Sequence, residues 1–121
     1  MSQFVILRHD SPQGVHFDFM LEFGGVLKTW ALPEPPDPGV EMECEALADH
    51  RLAYLDYEGP VSGGRGLVTR WDRGAYTVGR QNDAEWVVEL AGEKLAGQAS
   101  LSRFIGDPTR WTFCFTQKSQ E

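Results

Sequence analysis

The chain has 121 residues, 41% of them hydrophobic and 24% charged, with a formal net charge of −7 at pH 7. This length and composition predict one domain over residues 1–121 and exclude both a disordered chain and two independent cores. The negative charge excludes a protein that grips long duplex DNA by phosphate neutralisation, which needs a basic face.

Segments rich in Val, Phe, Trp, Tyr and Leu, separated by 13 glycines and 7 prolines, predict strands in chain order. Phe4–Arg8 is the first. The N-terminal MSQFVILRHD has no basic region before a long apolar stretch, so it does not read as a signal peptide. In the second strand, His16–Phe23, four polar or flexible residues (His16, Asp18, Met20, Glu22) alternate with Phe17, Phe19, Leu21 and Phe23. Successive strand side chains face opposite ways, so the large apolar residues are expected together on one face. Gly24-Gly25 then predicts a tight hairpin into Val26–Leu32, since adjacent glycines accept the positive φ of such turns.

Pro33–Pro38 reads as a stiff connector, and Glu41–Ala48 is the one stretch with helical character. Strands are expected again at Arg51–Tyr57, Gly66–Asp72, Trp86–Leu90, Leu95–Arg103 and Arg110–Thr116. Turns are expected at Asp72-Arg73-Gly74 and Gln81-Asn82-Asp83. About eight short strands with little helix predict a mostly all-β fold, an antiparallel barrel or sandwich. No apolar run is long enough for a membrane helix. The two cysteines, Cys44 and Cys114, lie far apart without CxxC spacing. They suit buried or free thiols in a reducing, cytoplasmic setting.

The chain has three histidines, His9, His16 and His50. His16 and Asp18 are expected on one face of the second strand, about 7 Å apart along the backbone. Pairing of the first two strands would bring His9 to them. Two imidazoles and a carboxylate suit a borderline divalent ion such as Mn, Fe or Zn and leave positions open for water or a substrate oxygen. The same residues also suit a solvated strand face, with His9 capping a carbonyl and His50 exposed in Asp49-His50-Arg51.

Longer motifs extend the pattern. Phe4-Val5-Ile6-Leu7-Arg8-His9 is followed by Val15-His16-Phe17-Asp18-Phe19-Met20-Leu21-Glu22 and Gly25-Val26-Leu27-Lys28-Thr29-Trp30-Ala31-Leu32-Pro33. Then come Asp49-His50-Arg51-Leu52-Ala53-Tyr54-Leu55-Asp56-Tyr57-Glu58-Gly59, Trp71-Asp72-Arg73-Gly74 and Lys94-Leu95-Ala96-Gly97. In this order they resemble the phosphoesterase domain at the N-terminus of many bacterial multidomain DNA ligases of the D type, which also occurs free-standing. The resemblance implies a small closed β-barrel and a manganese-dependent hydrolase, while the donor set itself also admits zinc or iron. Its implied role is to remove a 3′-phosphate or 3′-ribonucleoside from DNA ends in repair. It also implies metal ligation by His9, His16 and Asp18, and substrate-phosphate contact or proton transfer by His50 and Tyr54.

Three departures stand out. Leu7 replaces the family's usual glutamine and Met20 its usual arginine. Ser11-Pro12-Gln13-Gly14 replaces a basic pair, in a loop one residue longer. A thioether cannot replace the bidentate phosphate clamp of a guanidinium. In the shortened loop Val61–Gly66, Arg65 is the candidate substrate-binding cation. Weakly bound nucleic-acid 3′ ends are therefore the expected partner, together with repair proteins on separate chains and no membrane. A second reading keeps the fold as a catalytically weak or inactive metal-binding module of a repair complex. A third takes His16, Asp18 and a distant histidine as the facial triad of a non-heme iron oxygenase.

Overall fold

The computed structural model describes residues 2–119. Its strands are β1 (Gln3–Ser11), β2 (Gly14–Phe23), β3 (Val26–Leu32), β4 (Glu41–His50), β5 (Gly59–Pro60), β6 (Leu67–Asn82), β7 (Glu85–Gly92), β8 (Ala96–Arg103) and β9 (Arg110–Gln117). They form one antiparallel sheet in the order β1-β2-β3-β4-β9-β8-β7-β6-β5, and β1 also pairs with β6. That last pairing closes eight strands into a barrel-like ring, with the two-residue β5 as an outer attachment to β6. Closure leaves none of the eight with an open edge, the liability that antiparallel sheets must otherwise manage. Among the described residues no helix is long and apolar enough to cross a membrane.

The interior is aromatic. Phe4, Phe19, Phe113 and Phe115 are buried there together with Trp30, Trp86 and Trp111. Trp30 meets both Trp86 and Trp111 edge to face, with ring centroids 5.9 and 5.6 Å apart, a favoured aromatic geometry. Each fully buried Phe contributes about 1.5–3 kcal/mol. Gly24 and Gly25 both have positive φ, 64° and 83°, as the predicted β2–β3 hairpin requires.

Four expectations are corrected. Glu41–Ala48 is not helical but lies in β4, between β3 and β9. Met42, Cys44 and Ala46 alternate inward onto the core while the intervening glutamates face out. The need to fill that gap in the ring overrides the helix propensity of Glu, Met and Ala. Cys44 and Cys114 are free thiols, and burial pushes the Cys44 thiol up to about 12.

Arg51–Tyr57 is not a strand either. The chain leaves the sheet after His50 and makes a 3₁₀ turn at Leu52–Leu55. That turn sends both Tyr54 and Leu55 onto one apolar cluster, whereas strand alternation would split them.

Asp72-Arg73-Gly74 is no turn but the middle of the long β6. Asp72 is buried there as a hydrogen-bond acceptor, and a Cβ on Gly74 would lie 2.1 Å from the Ala91 carbonyl oxygen. Here Asp marks a buried acceptor and Gly a close backbone approach.

Phe23, expected beside Phe17, Phe19 and Leu21, is 40% exposed at the end of β2. The opposite face of β2 is buried at its middle, where Asp18 and Met20 are 3% and 1% exposed, and partly exposed at His16 and Glu22.

That opposite face carries a second cluster of Val5, Leu7, Met20, Leu27 and Val68, covered by Tyr54, Leu55 and Val61. Phe4 and Ile6 point into the ring, so the alternate residues Val5, Leu7 and His9 lie on its outer surface. The segment after β4 folds across this outer face.

Candidate metal and phosphate site

The β1–β2 hairpin assembles the metal candidates by register alone. Ser11 pairs with Gly14 across a two-residue turn, which places His9 opposite His16 and Leu7 opposite Asp18. Directly opposed residues share a face of an antiparallel pair, and so do residues two apart on one strand. His9, His16 and Asp18 therefore converge, with one ligand atom from each lying within 4.8 Å of the others.

Two details of this cluster bear on a cation. The first is the state of His9. Its Nε2 is 2.7 Å from the Arg65 carbonyl oxygen, so Nε2–H donates there and Nδ1 keeps its lone pair. Nδ1 faces His16 Nε2 at 3.2 Å and Asp18 Oδ2 at 3.6 Å. An imidazole whose outer N–H is held by a backbone carbonyl is oriented as metal-ligating histidines are.

The second detail is Asp18. His16 Nε2 stands 3.0 Å from Asp18 Oδ1. The contact is short but out of hydrogen-bond alignment, and this buried oxygen has no hydrogen-bond partner among the described residues. A buried carboxylate oxygen left so is costly unless a cation completes it, either a protonated His16 or a bound metal ion. The donor set, two imidazole nitrogens and one carboxylate, fits a borderline divalent ion.

A cavity of about 340 Å³ opens beside the triad. His9 and Asp18 reach it from one side, His50 and Tyr54 from another, and Leu7, Met20 and Val68 line it between them. His50 Nδ1 is 3.0 Å from the Ala48 carbonyl oxygen, so it donates there and leaves Nε2 free. The Tyr54 ring packs edge to face on His50 with centroids 5.5 Å apart.

Arg65 also lines the cavity, but its guanidinium is tied back into its own loop. Nε donates to the Ser62 carbonyl at 2.7 Å and Nη2 to Ser62 Oγ at 3.1 Å. The backbone carbonyl of Arg65 is what reaches the cluster, through His9. Sequence reasoning missed that contact, because no residue type signals a main-chain acceptor. It also missed Arg51 and Asp49 as cavity residues.

Gly66 sets the position of that carbonyl. Its φ is +101°, and a Cβ there would fall 1.9 Å from the Asp10 carbonyl oxygen. Gly66→Ala must displace the loop and release His9 Nε2. Losing such an orienting partner typically costs 10–100-fold in metal affinity. A Mn²⁺ titration followed by electron paramagnetic resonance is expected to show that loss in a protein that still folds.

The ring and the donor cluster define a small all-β protein with a candidate divalent-metal hairpin beside a polar-walled cavity. The sequence profile of the DNA Ligase D 3'-phosphoesterase domain matches residues 7–103, and the chain belongs to this family. It is 37% identical over 123 residues to the multifunctional non-homologous end joining protein LigD of Pseudomonas aeruginosa, covering 90% of this chain and 14% of that protein. Identity to the multifunctional non-homologous end joining DNA repair protein LigD of Mycobacterium tuberculosis is 36% over 117 residues, covering 89% of this chain and 15% of that protein. The Mycolicibacterium smegmatis LigD is 30% identical over 120 residues, 86% of this chain and 16% of that protein. The chain thus spans about one sixth or less of the length of these relatives.

Proposed function

We propose that this protein is a metal-dependent phosphoesterase that trims 3′ ends of DNA in end-joining repair, with manganese as the ion and zinc or iron as alternatives. The observation that carries the reading is the convergence of one ligand atom each from His9, His16 and the buried Asp18 within 4.8 Å, beside a cavity that His9 and Asp18 line. Those three residues would hold the ion, which would polarise a phosphoryl oxygen and lower the pKa of a bound water. His50, with Nδ1–H held by Ala48, carries a second proton on Nε2 when charged and gives it to the leaving oxygen. Tyr54 donates its phenol proton to a phosphate oxygen and braces the His50 ring. Arg65 acts through its carbonyl on His9.

The test is an end-trimming assay with Mn²⁺ on primer–templates ending in a 3′-phosphate or a single ribonucleotide, with His16→Ala as control. Processing by the parent that the variant lacks supports the reading. No processing, with manganese still held through His16, supports a metal-binding module without catalysis. Consumption of oxygen with iron would instead support the oxygenase reading.

Metal binding should depend on pH through His16. The short polar contact with Asp18 holds its pKa above the ordinary 6.5; burial opposes this, and the charges of Asp18 and Glu45 add to it. Without metal, the stabilisation from this charged pair is fully present below pH 6.5 and is lost as pH rises through the raised value. A metal needs the neutral imidazole and must displace that proton. Manganese affinity is therefore expected to fall as pH drops from 8 to 6, about tenfold per unit once below the raised pKa, while the metal-free protein becomes more stable. Titrations and melts at both pH values check the two opposite trends.

A further inference from the structure

Beside the cavity at the triad, the segment after β4 builds a second one. Arg51, Tyr54 and Tyr57 are spaced by three through the 3₁₀ turn at Leu52–Leu55. In such a turn side chains three apart lie one above the other, so an arginine and two phenols line up along one edge. Tyr54 meets Tyr57 edge to face with centroids 5.6 Å apart, one ring beyond its contact with His50. This ladder of rings leads from the first cavity into a second of about 220 Å³, lined by Arg51, Ala53, Tyr54, Tyr57, Pro60 and Ser62.

The second cavity has an accessible aromatic wall and a free cation. Tyr57 is 38% exposed, so a ligand can reach its ring. Its hydroxyl donates to the Pro60 carbonyl, and Gly59 leaves room for it, since a Cβ there would lie 3.2 Å from the phenol oxygen. Arg51 lines both cavities. Arg8, Arg73, Arg80 and Arg110 are each paired with a carboxylate, whereas Arg51 is exposed and has no such partner among the described residues. The carboxylates nearby are engaged elsewhere: Asp49 with Lys28, Asp56 with Arg73, and Glu58 with the Arg70 N–H. A volume below the roughly 300–1,000 Å³ of sites for larger ligands suits one flat ring system. Stacking on an aromatic side chain, with arginine beside it, holds single-stranded bases without sequence readout.

We propose that this cavity holds the terminal nucleobase of a strand end, unpaired and stacked on Tyr57, with Arg51 on the adjoining phosphate. The inference rests on the strand-end reading above and goes beyond it in naming where the base of that end lies. The π-face carries the contact, so all four bases are accepted. A cavity sized for one ring system has no room for a base pair, so the end must be open at that nucleotide.

Binding to the metal-free protein, followed by its backbone amide shifts, gives the test without turnover. The probes are a DNA trinucleotide with a 3′-phosphate and its twin lacking the terminal base. The parent is expected to bind the complete trinucleotide at least about fivefold tighter, with shifts centred on residues 51–62. Tyr57→Ala should remove that preference and leave the twin's affinity unchanged, while Tyr57→Phe, which keeps the ring, should retain it. Arg51→Ala should weaken both probes alike. Adenosine 5′-monophosphate, a free source of the same chemistry, should bind more weakly than the trinucleotide; tighter binding would make this a free-nucleotide pocket and overturn the strand assignment. Equal binding of trinucleotide and twin by the parent overturns the proposal. So does a preference that Tyr57→Ala leaves intact or Tyr57→Phe loses, or probe affinities that Arg51→Ala does not change. Failure of manganese to bind in a separate titration would remove the metal-site reading and leave a base preference standing. Manganese held through His16, with no base preference, would remove this inference alone.

Discussion

Asp18→Ala is expected to abolish the stabilisation by manganese that the proposed site would give. With free metal at one hundred times its dissociation constant, binding to the native state alone stabilises by about 2.7 kcal/mol. For a domain of this size that is a rise of roughly 10 °C in melting temperature. The alanine variant is expected to show no such rise and to lose end trimming by at least about 100-fold, more than the removal of a supporting partner costs. The reason lies in the donor set. Asp18 is the one anionic member of the triad, 3% exposed, and its Oδ1 has no hydrogen-bond partner among the described residues. Without it, two neutral imidazoles face the ion with no charge to offset its desolvation. Asp18→Asn keeps the shape and one oxygen and should recover only a small part of the shift. Melts of parent and variants with and without Mn²⁺, alongside the trimming assay, decide the matter. A variant that melts like the parent with metal and still trims would remove Asp18 from the site.

Much of this site was legible because a hairpin is a local structure. His16 and Asp18 on one face follow from strand alternation, and His9 opposite His16 follows from pairing the first two strands; both appear in the structure. The interior face of β2 was legible for the same reason, as far as Leu21. What stayed hidden depends on contacts distant in sequence. Met20 looked like a lost phosphate clamp on a wet face, but it is buried because the segment after β4 folds over it. Nothing in Arg51–Tyr57 distinguishes a strand from a 3₁₀ turn that drops Tyr54 and Leu55 onto that cluster. Likewise, Glu41–Ala48 has helix-forming residues, and only the ring, with β3 on one side and β9 on the other, makes it a strand. The match of residues 7–103 to the family shows that a long ordered set of short motifs carries more information than local propensity.

The largest loss of stability is expected far from the cavity, at Asp72. Its carboxylate is 1% exposed and accepts four backbone N–H bonds. Oδ1 takes those of Arg73, Glu93 and Lys94 at 2.8–2.9 Å, and Oδ2 takes that of Leu95 at 2.9 Å. Three of these donors form the turn between β7 and β8, so this side chain from β6 fixes a hairpin two strands along the ring. Hydrogen bonds to a charged acceptor contribute about 1.5–3 kcal/mol each, and a buried donor left without a partner adds its desolvation cost. These losses are not additive, and Asp72→Ala is expected to cost about 4–5 kcal/mol, at the extreme for single substitutions. That is much of the 5–15 kcal/mol by which domains of this kind are stable. Asp72→Asn discriminates between charge and geometry: an amide can serve the three donors at Oδ1, but its NH₂ then faces the Leu95 N–H, donor against donor. It should therefore recover only part of the loss. Gly92 belongs to the same device, since a Cβ there would lie 2.5 Å from Asp72 Oδ2 and 2.7 Å from the Phe4 ring. Gly92→Ala should destabilise in the same direction. Urea unfolding of the three variants measures the effect. If Asp72→Ala unfolds within 1 kcal/mol of the parent, the β7–β8 turn is held by its own chain and the carboxylate is not its anchor.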